Sequence, residues 1–172
     1  MPVYALGERV PSIDATAFVH PDAVVIGDVH IGPESTVWPC AVLRGDQGTV
    51  RIGARTSIQD GTVIHCTADL DTTIGDDCVV GHNAHLEGCT VHDGCLIGSG
   101  SVVLHRAIVH RGALVGAAAL VPNGVEVPAL AMALGVPCRI RENAMAEGSF
   151  RVSVERYVAN GIWYRSQLRR LD

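Results

Sequence analysis

Residues 91–127 read VHDGCLIGSGSVVLHRAIVHRGALVGAAALVPNGVEV, and they decide the fold. An aliphatic residue stands at every sixth position: Val91, Ile97, Val103, Val109, Val115, Val121 and Val127. Four places after an anchor comes a small residue, at Cys95, Ser101, Ala107, Ala113 and Ala119. A helix would repeat near 3.6 residues and a lone half-buried strand at 2. A period of six, with a large anchor and a small partner, means short strands joined at corners, three strands to a triangular coil.

The pattern extends towards the N-terminus. Anchors run through Ile13, Val19, Val25, Ile31, Val37 and Leu43, resume after a slip at Ile52, Ile58 and Ile64, and resume again at Ile74, Val80 and Leu86. A contraction of one residue then leads into Val91. Glycine often follows the anchor, as at Gly32, Gly53, Gly75, Gly81, Gly98 and Gly116. Over about residues 10–140 the chain resembles the hexapeptide-repeat family, whose members form left-handed parallel β-helices and usually trimerise. The expected fold is therefore all-β: a left-handed parallel β-helix over residues 1–140. A helical segment over 141–172 packs along its side. The slips at 45–51 and 66–73 are expected as extra residues bulging at corners, and function concentrates in such irregular places. In 149–171, Phe150, Val154, Tyr157, Val158, Ile162, Leu168 and Leu171 fall on a roughly helical period. Asn160-Gly161 is where that helix would break, since glycine costs about 1 kcal/mol relative to alanine.

Composition narrows the function. The chain is 48% hydrophobic but only 4% aromatic, which suits a narrow core of small aliphatic side chains. A net charge of -5 leaves no basic footprint for nucleic acid. No apolar run reaches the length of a membrane span. The N-terminus carries no signal-peptide pattern. The six cysteines form no CxxC pair. A cytoplasmic protein with free thiols is expected.

Equal positions on neighbouring coils stack about 4.8 Å apart. The register stacks Arg44, His65 and Glu87 in one column, and Asp60 and His82 in another. His65 and Glu87 could share a metal ion. His82 precedes Glu87 by five residues and falls on a different face, more than about 10 Å away at the rise of a strand. A site using all three must form between subunits, most naturally in a homotrimer.

Arg44-Gly45-Asp46, Gln59-Asp60, His65 and Gly81-His82 together resemble the γ-class carbonic anhydrases. The resemblance implies that Arg44, Asp46 and Asp60 lie at the subunit interface, with Arg44 and Asp60 bridging subunits, and that Gln59 belongs to the catalytic site. It also implies a metal, zinc before Fe2+ or Co2+, held by His65 of one chain and His82 of its neighbour. The third ligand of the family is a histidine five residues after His82; here that position is Glu87. A carboxylate would cancel one unit of the metal's charge, although two histidines and a carboxylate hold metals in other enzymes. His85, two residues before Glu87, is a possible substitute ligand, with Glu87 then acting as base or hydrogen-bond acceptor. His92 and His110 match one coil apart and read as exposed residues. Cys78 and Cys95 read as core, Cys66 as a thiol in the loop after His65 with nothing in the sequence to support a metal role, and Asp69 and Asp71 match no family position.

The resemblance thus implies a lyase in which metal-activated water attacks CO2 or another small-molecule electrophile, weakened by Glu87. The alternatives are an acyltransferase using acyl-CoA and a non-enzymatic assembly subunit.

Overall fold

The computed structural model describes residues 2–172 and is a left-handed parallel β-helix of about seven turns with one C-terminal helix. Three columns of anchors define its faces. Leu43, Ile64, Leu86, Val103 and Val121 stack on the first. Ile52, Ile74, Val91, Val109 and Val127 stack on the second, and Val37, Ile58, Val80, Ile97 and Val115 on the third. All of these side chains are buried, and the small partners Ala41, Thr62, Cys78, Ala84, Cys95, Ala107, Ala113 and Ala119 fill the space between them. At roughly 25 cal/mol for each Å2 of apolar surface removed from water, this continuous core is the main stabilising term. Ile13 and Val19, in the first coil, are only partly buried against this core.

The two slips differ from each other. The first does not loop out. Strand Val42–Ile52 runs through it and rounds a corner, paired with Val24–Ile31, and the register shifts between Gly27 and Val29. Gly27 and Gly45 permit this, since a Cβ on Gly27 would lie 2.2 Å from the Gly45 carbonyl oxygen. The second slip is a short turn, in which the Thr67 and Leu70 backbones bond reciprocally. Asp71 is structural there, its carboxylate accepting from Thr49 N at 2.7 Å.

After the last coil, Arg139–Arg141 adds an antiparallel strand to Met132–Leu134, which the repeat did not foretell. The helix α1, Arg151–Gln167, is unbroken. Gly161 does not interrupt it. Instead Gly161 is buried where the helix meets the third face, and a Cβ there would stand 2.6 Å from Thr36 Cγ2. Tyr157 and Tyr164 close edge-on around Trp38, which Phe18 also touches. Arg165 ties the far end down by donating to the Ala17 carbonyl at 2.7 Å. Ile162 is exposed because the helix sits on its Val154–Gly161 stripe, and Leu168 and Leu171, expected in the same helix, are exposed beyond its last residue, Gln167. No helix among the described residues is long and apolar enough to cross a membrane.

Candidate functional site

The first face carries the column that the repeat places there, with Arg44 level with His65 and His65 level with Glu87 on consecutive coils. Their backbones are pinned from inside. Thr72, fully buried, donates its hydroxyl to the His65 carbonyl and accepts from Gly88 N at 2.8 Å, so one side chain clips both strands. Cys66 turns inward to the core rather than sitting in a loop near a metal. Its sulfur accepts from Gly48 N at 3.2 Å, and burial pushes its thiol up.

Outside, the side chains form a continuous alternation of charge. Arg44 donates to Asp46, and Asp46 Oδ1 lies 2.8 Å from His65 Nε2. His65 Nδ1 lies 2.7 Å from Glu87 Oε1. The other oxygen, Glu87 Oε2, faces two more imidazoles, His105 Nε2 at 3.4 Å and His85 Nε2 at 3.6 Å. Burial pushes the Glu87 carboxyl up, but the hydrogen bond and charge of His65, then the charge of His105, outweigh it and hold the group below its usual value. Asp46 behaves alike, with burial opposed by His65 and Arg44 and the net direction downward. Glu87 is therefore an anion at neutral pH, partly exposed and reachable from solvent.

The second column stands apart. His82 Nδ1 lies 2.9 Å from Asp60 Oδ2, and both side chains are about half exposed, at 50% and 48%. Within one chain Arg44 pairs with Asp46 and Asp60 with His82, so each partner of the expected intersubunit Arg44–Asp60 pair has an intrachain contact. Gln59 is buried at the end of a third-face strand, beside Asp60 in sequence, whereas Glu87 stands on the first face. Among the described residues, no three His, Cys, Asp or Glu side chains of one chain are placed to hold a metal. A metal here needs a donor from another copy, and the donors present, imidazoles and a carboxylate around Glu87, are of the kind that zinc takes.

His105 is the group that the repeat pattern missed. Strict register puts Leu104, not His105, in the column above Glu87, because Leu86 pairs with Val103. The ring still reaches Glu87 because it lies over Gly88, where a Cβ would stand 3.1 Å from His105 Cδ2. The sequence signal was a glycine directly after Glu87 together with the shortened coil. His92 and His110 do stack, with centroids 5.4 Å apart and planes 14° from parallel, and His110 pairs with Glu126 at 3.0 Å. Parallel rings aim their nitrogens side by side rather than at a common point.

Comparisons with known proteins agree with this architecture. Residues 71–105 match the model of the family described as bacterial transferase hexapeptide (six repeats). The carnitine operon protein CaiE of Escherichia coli strain K12 is 37% identical over 143 residues, 83% of this chain and 73% of that protein. The mitochondrial gamma carbonic anhydrase 1 of Arabidopsis thaliana is 42% identical over 138 residues, 77% of this chain but 50% of that protein. A crystal structure of a hexapeptide transferase family protein from Anaplasma phagocytophilum superposes with a TM-score of 0.89 at 34% identity, covering 95% of this chain and 98% of that one.

Proposed function

The chain belongs to the hexapeptide-repeat family of γ-carbonic-anhydrase-like left-handed β-helix proteins, and from that premise we propose that it is a trimeric metalloprotein with one site at each subunit interface. The observation that carries the proposal is the arrangement around Glu87, an anionic carboxylate ringed by imidazoles on the outer surface of the coil. Zinc is the first expectation, with Fe2+ or Co2+ as substitutes. The donors proposed are Glu87, an imidazole of the same chain (His65 by the family pattern) and His82 of a neighbouring copy. When bound, the ion would supply Lewis acidity and activate a water molecule towards CO2 or another small electrophile.

The chain's own residues have definable tasks. Asp60 fixes the His82 ring through Nδ1, which leaves Nε2 free to face a neighbour. Arg44 and Asp46 hold the lower end of the charged chain, and Asp46 keeps His65 in one orientation. Gln59, buried beside Asp60, brings a neutral amide into the site from the neighbour's side, where it can orient a small polar substrate. Glu87 contributes a negative charge where a third imidazole would be neutral. That lowers the electrophilic pull on the activated water, so CO2 hydration should be slow.

The test is elemental analysis of protein purified without added metal, beside its sedimentation behaviour. About one zinc per subunit in a trimer supports the proposal, and His82→Ala should lose it. A metal-free monomer would refute it. Release of thiol from acetyl-CoA by that protein would favour the acyltransferase reading instead.

A further inference from the structure

We infer that the imidazole this chain pairs with Glu87 on the metal is His105, one coil beyond the family's ligand position, and that His65 is a positioning residue for the Glu87 carboxylate. The inference rests on the metal-bearing reading above and specifies its donors.

His65 has no nitrogen to spare. Nδ1 meets Glu87 Oε1 at 2.7 Å and Nε2 meets Asp46 Oδ1 at 2.8 Å. Both ring nitrogens are therefore already taken up by carboxylates. To ligate, His65 would have to abandon one of two charge-assisted bonds, each of the stronger kind.

His105 is in the opposite condition. Its Nε2 is buried and has no hydrogen-bond partner, the only such side-chain atom among the described residues. Buried polar atoms are normally bonded, so an orphan asks for an explanation. Its separation of 3.4 Å from Glu87 Oε2 is too long for a charge-assisted hydrogen bond. It matches the spacing of two donors on one tetrahedral zinc, about 3.4 Å for bonds of about 2.0–2.1 Å.

The two oxygens of Glu87 divide the work. Oε1 is held by His65 and Oε2 faces His105. This is how a metal-binding carboxylate is commonly arranged, with one oxygen on the ion and the other fixed by a neighbour. Gly88 supports the same assignment. It has φ +59, and any side chain there would press on the His105 ring at 3.1 Å. Two donors from one chain and His82 from a neighbour leave a fourth position open for water, as catalytic zinc sites require. His85 flanks the same oxygen at 3.6 Å and is a candidate contact for whatever occupies that position.

The test compares the full-length wild-type protein with His105→Ala, His105→Gln and His65→Ala. Each is loaded with zinc chloride, and affinity is read by competition with a chromophoric chelator. X-ray absorption of the zinc-loaded forms counts imidazoles, a readout that a positioning role does not move. His105→Ala and His105→Gln should lose more than about 100-fold in zinc affinity, beyond the usual range for a supporting residue, and one imidazole should vanish from the zinc shell. His65→Ala should lose about 10–100-fold with the count unchanged. An unchanged count in both His105 variants, or a lost imidazole in His65→Ala, overturns the inference alone. Absence of zinc from the wild type overturns the metal-bearing reading itself. Circular dichroism of each variant separates loss of a donor from loss of the fold, and the glutamine variant retains a polar side chain if alanine proves unstable.

Discussion

Replacing Gly161 by alanine should destabilise the protein, although helix propensity alone argues the reverse. In an exposed helix the change would gain about 1 kcal/mol. Here the new Cβ would meet Thr36 Cγ2 at 2.6 Å and Phe18 Cβ at 3.4 Å. The second contact is ordinary, but the first is not. Thr36 is buried, β-branched and held by a bond from Trp38 Nε1 to its hydroxyl at 3.0 Å, so its methyl cannot swing away cheaply. Overpacking of this kind costs about 1–3 kcal/mol, which leaves a net loss of about 0–2 kcal/mol after the propensity gain. Thr36→Ser removes only the offending methyl and keeps the hydroxyl. In that background Gly161→Ala should recover most of the loss, giving a coupling energy of about 1–3 kcal/mol in the double-mutant cycle. Urea unfolding at one fixed protein concentration measures this, since the stability of an oligomer depends on concentration. The fluorescence of Trp38, packed 5.0 Å from Tyr164, reports undocking of the helix. If Gly161→Ala stabilises the protein by about 1 kcal/mol with Thr36 in place, the close-approach reasoning is wrong.

Other outcomes follow from the site and the core. In native protein a thiol reagent should react quickly with Cys40 alone among the core-facing and surface cysteines of the coil, because Cys40 is exposed while burial pushes the Cys89 thiol up to about 12; Cys40→Ser should abolish the fast phase. In metal-free protein, Glu87→Gln should lower stability at pH 7 by about 1.5–3 kcal/mol, the range for hydrogen bonds to a charged group. Because folding lowers the Glu87 carboxyl from 4.5, its contribution is full above that value. The contribution is lost as pH falls through the folded-state value, so the gap between wild type and variant should close in acid. A gap that widens in acid would reverse the assigned direction. Glu87→His should tighten zinc and raise the rate of CO2 hydration in stopped-flow measurements, whereas a wild type as fast as a three-histidine enzyme would refute the charge argument.

The coil was legible because its signal repeats. Each anchor from Leu43 to Val127 repeats the same packing problem, and the stacked pairs Arg44–His65–Glu87 follow from counting residues between Leu43, Ile64 and Leu86. Features that occur once were harder to read. The continuation of strand Val42–Ile52 round its corner depends on Gly27 and Gly45 meeting across two coils. Gly161 looked like a helix breaker because its local propensity is poor, but its tertiary role is to let α1 approach Thr36. The same limit hid His105, whose ring crosses from one register position to the next only because Gly88 presents no side chain. The pairing of His65 with two carboxylates, and of His82 with Asp60, depends on side-chain rotamers that no period encodes.

The central claim, a metal shared between subunits, is tested most directly by mixing two inactive parents. His82→Ala and Glu87→Ala chains should each form trimers without bound zinc, since every interface lacks a donor. Unfolded together in equal amounts and refolded, they give trimers in which every mixed assembly regains one interface with both donors intact. Random assembly into cyclic trimers then predicts about one quarter of an equivalent of zinc per subunit. Elemental analysis of the purified mixture measures it. Zinc near that level in the mixture and none in either parent is the predicted result; a mixed trimer as empty of metal as its parents would contradict the shared site.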